Sequence, residues 1–293
     1  MSLLHPCCGM KRTGSATMAG STPAAIAFIG FGEVGQTFSR GLLANGAAGI
    51  RAYDLLFGSD AGRRLEDAAR QIGVGCGASP AEACSQASLV FSAVTADRAE
   101  AVAAEAASWL KPGQIFVDVN SAAPSTKQRA AKAVEASGAA YVEAAVMAPV
   151  LKPGLKVAIL AGGPKAEAVA ATLNGLGMNL TPVSETFGRA SAMKLCRSIV
   201  IKGLEALMVD CAAACEAWDV KDPVFASLHA TFPSIDFHAL AADMRERVAT
   251  HGIRRAAEMR EAAEMLTVAG LEPGLASAIA DAQQRGARRE GAA

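Results

Sequence analysis

Short apolar runs alternate with longer, alanine-rich amphipathic stretches through the first two thirds of the chain. The runs are "AAIAFIG" (24–30), "GIRAYD" (49–54), "SLVFSAV" (88–94), "QIFVDVN" (114–120), "AAYVEAAV" (139–146), "KVAILAGG" (156–163) and "MNLTPVS" (178–184). Each is too short for a helix and reads as a strand, the first of them buried on both faces. A helix over about Val34 to Ala44 follows the first run, and similar segments separate the others. Strand–helix alternation over roughly 160 residues predicts an α/β fold built on a doubly wound parallel sheet. After about residue 185 the strand signal stops. Residues 188–217 read as one long helix, with Met193, Cys196, Val200, Leu204, Leu207 and Cys211 on one stripe and Leu195, Ile199, Ile201 and Met208 widening it. A helix apolar on most sides belongs inside its domain or against a second subunit. Segments 222–230, 235–250, 253–269 and 273–286 also read as helices, punctuated by Pro223, Pro233 and Pro273. The plan is an arm (1–23), a sheet domain (24–185) and an all-helical domain (186–293).

A length of 293 residues suits two domains. The 28 basic residues match the 28 acidic ones, so no basic field invites nucleic acid or an anionic membrane. No uncharged apolar run reaches the ~18 residues that a membrane span needs. The first two dozen residues are small and polar, without the apolar stretch of a secretory signal. The cysteines Cys7, Cys8, Cys76, Cys84, Cys196, Cys211 and Cys215 are odd in number, scattered and free of any C-x-x-C. That usage fits reduced thiols in a cytoplasmic protein and offers no zinc site. Cys211 and Cys215 read as small buried hydrophobes. The basic residues between Arg245 and Arg260 are interrupted by Glu246, Glu258 and Glu261, and read as a solvated helix face. No metal-ligand set is visible.

The first strand ends in "FIGFGEVGQ" (28–36), where Gly30, Gly32 and Gly35 form G-x-G-x-x-G at a strand-to-helix turn. That is the context in which the motif binds a dinucleotide. Gly30 allows the tight turn, Gly32 lets the backbone approach a pyrophosphate, and Gly35 lets helix and strand pack closely. Phe31, Glu33 and Val34 complete the loop, with Glu33 expected to point to solvent. Asp54 ends the second strand, where a carboxylate accepts hydrogen bonds from ribose hydroxyls and repels a 2′-phosphate. The pattern favours NAD over NADP. Arg63 and Arg64 come too late to hold that phosphate and read as a solvated helix face.

Hydride exchange with a carbonyl needs a group that exchanges a proton with its oxygen. His5 lies in the arm, and His229, His238 and His251 lie in the helical domain. Lys194, near the start of the long apolar helix, could be desolvated on its inner side, which would lower its pKa, but on local pattern alone a lysine that snorkels to solvent is the favoured reading.

"FIGFGEVGQTFSRGLLANG", "DVNSAAPSTKQ", "VEAAVMAPV" and "GRASAMKLCRS" occur in that order. Together they resemble the β-hydroxyacid dehydrogenase family, which includes 3-hydroxyisobutyrate dehydrogenase, tartronate semialdehyde reductase and the more distant 6-phosphogluconate dehydrogenase. The resemblance covers roughly residues 24–210. It implies an N-terminal Rossmann domain, an all-helical C-terminal domain and, between them, a long helix carrying a catalytic lysine. The family's G-x-G-x-x-x-K falls on Gly188, Ala190 and Lys194, making Lys194 the general acid/base. Ser198 stands where the family has Asn. The family's D-x-S-T-x-x-P falls on Asp118, Asn120, Ser121 and Pro124, so Asn120 and Ser121 would hold a substrate carboxylate or hydroxyl. Val94 and Thr95 would meet the nicotinamide ribose.

Two departures stand out. Met147, Ala148 and Pro149 replace the family's Ser-Gly-Gly, which implies a larger or more apolar substrate. The C-terminal K-D motif is missing, and "HGIRRAAEM" (251–259) resembles instead a phosphogluconate-dehydrogenase-like subgroup whose C-terminal domain has no assigned role. There Lys202 is a candidate second cation for the substrate, and His251, Arg254 and Arg255 are candidates to clamp an anion, with ion pairing on the helix surface the favoured alternative for those three. The expected protein is an NAD-dependent oxidoreductase of a carboxylate-bearing hydroxyacid or related alcohol, and a homodimer. An NADP-linked reductase of imines or bulky carbonyls and a dinucleotide-binding sensor without turnover are the rivals.

Overall fold

The structure, a computed structural model, describes residues 25–290; the expected arm (1–23), with His5, Cys7 and Cys8, lies outside the described residues. The strands are β1 (Ile26–Ile29), β2 (Ile50–Tyr53), β3 (Gly75–Cys76), β4 (Leu89–Ser92), β5 (Ile115–Asp118), β6 (Ala140–Val146), β7 (Ile159–Gly162) and β8 (Leu180–Ser184). The helices are α1 (Glu33–Ala44), α2 (Arg63–Ile72), α3 (Pro80–Cys84), α4 (Ala99–Ala106), α5 (Pro124–Glu135), α6 (Ala166–Gly175), α7 (Arg189–Ala217), α8 (Lys221–Thr231), α9 (Phe237–Val268) and α10 (Gly274–Glu290).

The strands form one sheet in the order β3-β2-β1-β4-β5-β6-β7-β8. All pairs are parallel except β6–β7, which is antiparallel, so the sheet is mostly rather than wholly parallel. The reason lies in the connection. Between β6 and β7 there is only a 3-10 turn at Gly154–Lys156, and a parallel return needs a crossover element, usually a helix. The two-residue β3 has too little sequence for a periodic signal.

Alternate strand residues face opposite ways. Phe28 and Phe91 stack 4.8 Å apart in the core on one side of the sheet. Ala27, Ile29, Val90, Phe116 and Tyr141 build the core on the other. Burying each large ring stabilises the fold by about 1.5–3 kcal/mol. The registers Ile29↔Ser92 and Ser92↔Asp118 align the ends of β1, β4 and β5. The segments that follow them therefore leave the sheet side by side, at its carboxyl edge.

The helical half holds two further apolar clusters, one around Met259 and Ile279, the other around Phe225 and Phe237. One helix, α9, stands where two were expected. Gly252 does not break it. A Cβ there would collide with the Gln283 carbonyl and lie 2.7 Å from Ala287 Cβ, so the glycine allows α9 and α10 to cross closely. On α7, Leu195, Met208 and Cys215 are buried, whereas Met193 (51% exposed), Val200 (68%), Leu204 (39%) and Leu207 (70%) face outward. That stripe is not covered within its own domain.

Candidate active site

The glycine loop follows β1 directly. Gly30 has φ +87°, and any side chain there would collide with the Ala93 carbonyl. A Cβ on Gly35 would lie 2.6 Å from Gly30 O, whereas one on Gly32 would meet nothing within 4 Å. The loop is thus packed beneath Gly30 and Gly35 and open above Gly32. Helix α1 starts there with no side-chain cap, so its first amides point outward unpaired by any cap. Phe31 is fully buried under the loop, and Val34 is half-buried against the sheet core. Glu33 is exposed, as expected. Asp54 ties the loop to β2: its Oδ2 accepts from Phe31 N (2.8 Å) and its Oδ1 from Leu56 N (3.0 Å). The carboxylate stays half-buried at the loop's edge. Val94 is half-buried beside Gly30, and Thr95 is exposed after β4. Arg63 pairs with Asp60 in solvent.

The second part of the site begins at β6. Glu143 is fully buried, and its Oε1 accepts from the backbone N–H of Gly188 (2.8 Å) and Ala190 (3.0 Å), while its Oε2 accepts from Ser191 Oγ (2.9 Å). This carboxylate caps α7, whose own N-cap, Gly188 at φ +91°, offers no side chain. A negative charge at a helix N-terminus is favoured by the free amides and the dipole. Gly162 makes room for it, since a Cβ there would lie 2.5 Å from Glu143 Oε1. Fixing the start of α7 fixes Lys194 in its second turn.

Lys194 Nζ donates to Ser121 Oγ. Burial lowers its pKa to about 8, with Lys127, Lys202 and Arg254 pushing the same way and the Glu258 carboxylate opposing them. Ser121 sits at the sheet's carboxyl edge, just beyond Asn120. Asn120 is 5% exposed, and its amide is committed: Nδ2 donates to Asp118 Oδ1 (2.7 Å) and to Ser92 Oγ (3.0 Å). Asp118 also accepts from Tyr141 OH (2.6 Å) and pairs with the buried Lys127 (2.8 Å). Burial, then the Asp118 charge, holds the Tyr141 hydroxyl well above its usual pKa, so it remains a donor. Asn120 Oδ1 is buried without a protein partner.

Ser198 and Lys202 follow Lys194 at successive turns of α7. Ser198 Oγ donates to Glu258 Oε1 (2.5 Å), and Lys202 Nζ donates to Ser198 Oγ (3.2 Å) and Glu258 Oε1 (3.0 Å). Lys202 is therefore neutralised by a carboxylate from α9. Glu258 and Glu261 do not lie on a solvated face, contrary to the sequence reading. The Glu258 side chain is 12% exposed, and Glu261 Oε2 accepts from Ala123 N (2.5 Å) at the start of α5. Glu264 of the same helix accepts from Ser125 Oγ (2.6 Å). Arg255 is bound to the fully buried Glu205, with both carboxylate oxygens within 2.6 Å. His251 lies on the outer surface beside Asp243, Glu246, Arg247 and Thr250, while His229 and His238 sit near the α8–α9 turn. Of the expected anion contacts, His251 and Arg254 are exposed and outside every ion pair among the described residues, and of these two it is the Arg254 charge that reaches Lys194.

Sequence reasoning missed Glu143, Glu258, Lys127 and Glu205. Each is a buried charge satisfied by a partner on another element, nine residues away for Lys127 and 45 or more for the three glutamates, a pattern without a local signature. The i, i+3, i+6 spacing of Glu258, Glu261 and Glu264 was the one available hint that α9 carries a polar face toward another element. Among the described residues no helix is long and apolar enough to cross a membrane, and no cluster of His, Cys, Asp and Glu forms a metal site.

A family model for NADP oxidoreductases, coenzyme F420-dependent, matches residues 25–122, and a domain of unknown function (DUF1932) matches residues 215–286. A conserved hypothetical protein from Sinorhizobium meliloti 1021 is 40% identical, with 90% of this chain and 88% of that chain covered and a TM-score of 0.78. A conserved protein of unknown function, structurally similar to 3-hydroxyacid dehydrogenases, is 30% identical over 92% of this chain and 100% of its own (TM-score 0.72). The chain belongs to the β-hydroxyacid dehydrogenase family. Within that family it falls in the subgroup with the C-terminal domain of unknown function. The fold extends to the 3-hydroxyisobutyrate dehydrogenase of Mycobacterium tuberculosis, solved with L-serine, at 17% identity over 90% of this chain and 94% of that chain (TM-score 0.74). Other structures of this fold hold different coenzymes, NADP+ in Psf3 and NAD+ in an imine reductase from Myxococcus stipitatus.

Proposed function

We propose that this family member is an NAD-linked oxidoreductase acting on a hydroxyacid or a related alcohol, with Lys194 as its general acid/base. The observation that carries the reading is the Lys194 amine: bonded to Ser121 at the carboxyl edge of the sheet and brought to a pKa of about 8 by burial. A base poised near the working pH is what proton transfer requires. Bound NAD would supply the hydride chemistry. The open backbone above Gly32, the uncapped start of α1 and the Asp54 carboxylate fit such a group. In oxidation the neutral Lys194 amine takes the hydroxyl proton as hydride leaves the same carbon, and a carbonyl forms. In reduction the ammonium gives that proton to the forming alkoxide. Ser121 holds the amine toward the reacting oxygen. Asn120 acts from beneath, bracing the loop through Asp118 rather than lending its amide to substrate.

The charges around Lys194 favour an anion. Lys127 and Lys202 are each matched by a carboxylate, which leaves Arg254 to meet a substrate carboxylate. Half-buried Met147 in place of a hydroxyl-bearing residue supports a substrate with more apolar bulk than the simplest hydroxyacids. The test is Lys194→Ala. Turnover of a hydroxyacid panel, followed by NADH absorbance, should fall by about 10²–10⁴-fold or more, while NADH affinity stays nearly unchanged. A variant that keeps most of its activity overturns the assignment. The coenzyme follows from Asp54: NADH should bind more tightly than NADPH in a fluorescence titration, and the reverse order would favour the NADP-linked reductase.

The same reading includes a homodimer through α7. An antiparallel pairing centred near Leu204 would set Val200 against Leu207 of a second copy and Arg197 against its Asp210, twice by symmetry. Both charged residues are exposed, and Asp210 makes only a 3.4 Å contact with Arg285 in its own chain. Self-complementary charge flanking an exposed apolar stripe is what a second copy of this chain would fill.

A further inference from the structure

We infer that Glu258, carried by the helical domain of unassigned role, sets the charge of the Lys194 site: it pairs with Lys202 directly, is bonded to Ser198 between the two lysines, and so offsets one of the two cations on that face of α7. This rests on the reading of Lys194 as the acid/base and makes Glu258 a positioning residue, acting through Lys194 and not on substrate.

The geometry is specific. Lys194, Ser198 and Lys202 stand at i, i+4 and i+8, on one face of α7. Two lysines on one buried face repel, and each raises the cost of charging the other. Glu258 enters from α9 between the turns, and its Oε1 takes both the Ser198 hydroxyl and the Lys202 ammonium. Ser198 is used twice, as donor to Glu258 and as acceptor from Lys202. The turn bearing Lys202 is itself anchored, since its carbonyl accepts from Gln283 Nε2 of α10 (3.1 Å). The groups facing Lys194 are Glu258 and Arg254 of α9, Lys202 of α7 and Lys127 of α5. Lys127 is held by Asp118 and Lys202 by Glu258, so Glu258 is the one carboxylate that both cancels a neighbouring cation and attracts the Lys194 ammonium directly. Burial pushes the Glu258 carboxyl up, but the Lys194 and Lys202 charges and two hydrogen bonds outweigh it, and the net shift is downward. The carboxylate remains ionised while Lys194 titrates above it.

A carboxylate that merely clamps α7 to α9 would be replaced by an amide without consequence for Lys194. The test separates the two. The Lys194 titration midpoint is read by carbon-13 NMR of protein labelled at the lysine ε-carbon, with Lys194→Arg to assign the signal. Glu258→Gln keeps the shape and an acceptor oxygen but removes the charge, and should lower the midpoint by about one pH unit. Lys202→Gln removes a cation and should raise it. Glu258→Asp keeps the charge and should stay within a few tenths of the parent. Circular dichroism melts establish that each variant is folded; if Glu258→Gln is not, Lys202→Gln and Glu258→Asp still give signed results. Midpoints that do not move, or that move the same way in the Gln variants, overturn the inference. The readout needs no turnover. Shifted midpoints without any hydroxyacid oxidation would sink the proposed activity and leave the electrostatic coupling standing; oxidation with unmoved midpoints would do the opposite.

Discussion

At the scale of single residues, Lys194 carries a pH dependence whose sign follows from its direction of shift. With a pKa of about 8, roughly a tenth of the amine is neutral at pH 7. Oxidation needs the neutral base, so kcat/KM for the alcohol should climb with a slope of one as pH rises toward 8 and then level off. Reduction needs the ammonium, so its rate should hold below 8 and fall above it. Pre-equilibrium pH profiles in both directions check this; an oxidation profile flat from pH 6 to 9 would exclude Lys194 as the base. Lys194 and Ser121 were singled out through the family resemblance, since the local pattern around Lys194 also suits a lysine reaching solvent; the structure brings their two side chains together. Glu258 was not legible in the sequence. Its neighbours Arg254, Arg255, Arg260 and Glu261 make the segment read as a surface of mixed charge, and only the packing of α9 against α7 shows that one turn of it is buried.

At the scale of elements, α7 depends on a cap from outside itself. Glu143 supplies what Gly188 lacks, and satisfies two backbone amides and Ser191 in a fully buried position. Glu143→Ala leaves those donors unpaired at about 1–3 kcal/mol of stability in total or more, and should lower the midpoint of thermal unfolding by several degrees. A melt unchanged from the parent would show that the carboxylate is not what holds the helix start. The outward stripe of α7 makes a second claim. Leu204→Glu places a charge at the centre of the inferred pairing and should convert a dimer to a monomer in light scattering after size exclusion, with little change in the melt of the monomer. Seven of the eight strands were legible as short apolar runs, all but the two-residue β3, and α7 was legible from its length. The antiparallel turn into β7 was not legible, because "KVAILAGG" looks the same in either direction and only the missing crossover helix decides it. Gly252 misled for a similar reason: a glycine between two periodic stretches reads as a stop when it is a point of close approach.

At the scale of the whole molecule, the two halves meet through hydrogen bonds that converge on the reacting corner. Sequence alone separated the halves correctly in kind, a sheet followed by helices, because the period of the apolar pattern changes once and does not return. It gave no view of how one half leans on the other, since that depends on Glu258, Glu261 and Glu264 meeting α7 and the start of α5. Those three carboxylates lie on successive turns of a continuous helix, rising about 1.5 Å per residue. Helix α9 thus acts as a ruler laid between the two halves: one graduation grips the lysine-bearing helix, the next two grip the start of α5 just past Ser121. The spacing between α7 and the start of α5 is written into the pitch of a helix far along the chain. Loss or gain of a single residue in that stretch would misalign both jaws at once, even with every group of the reacting corner still present.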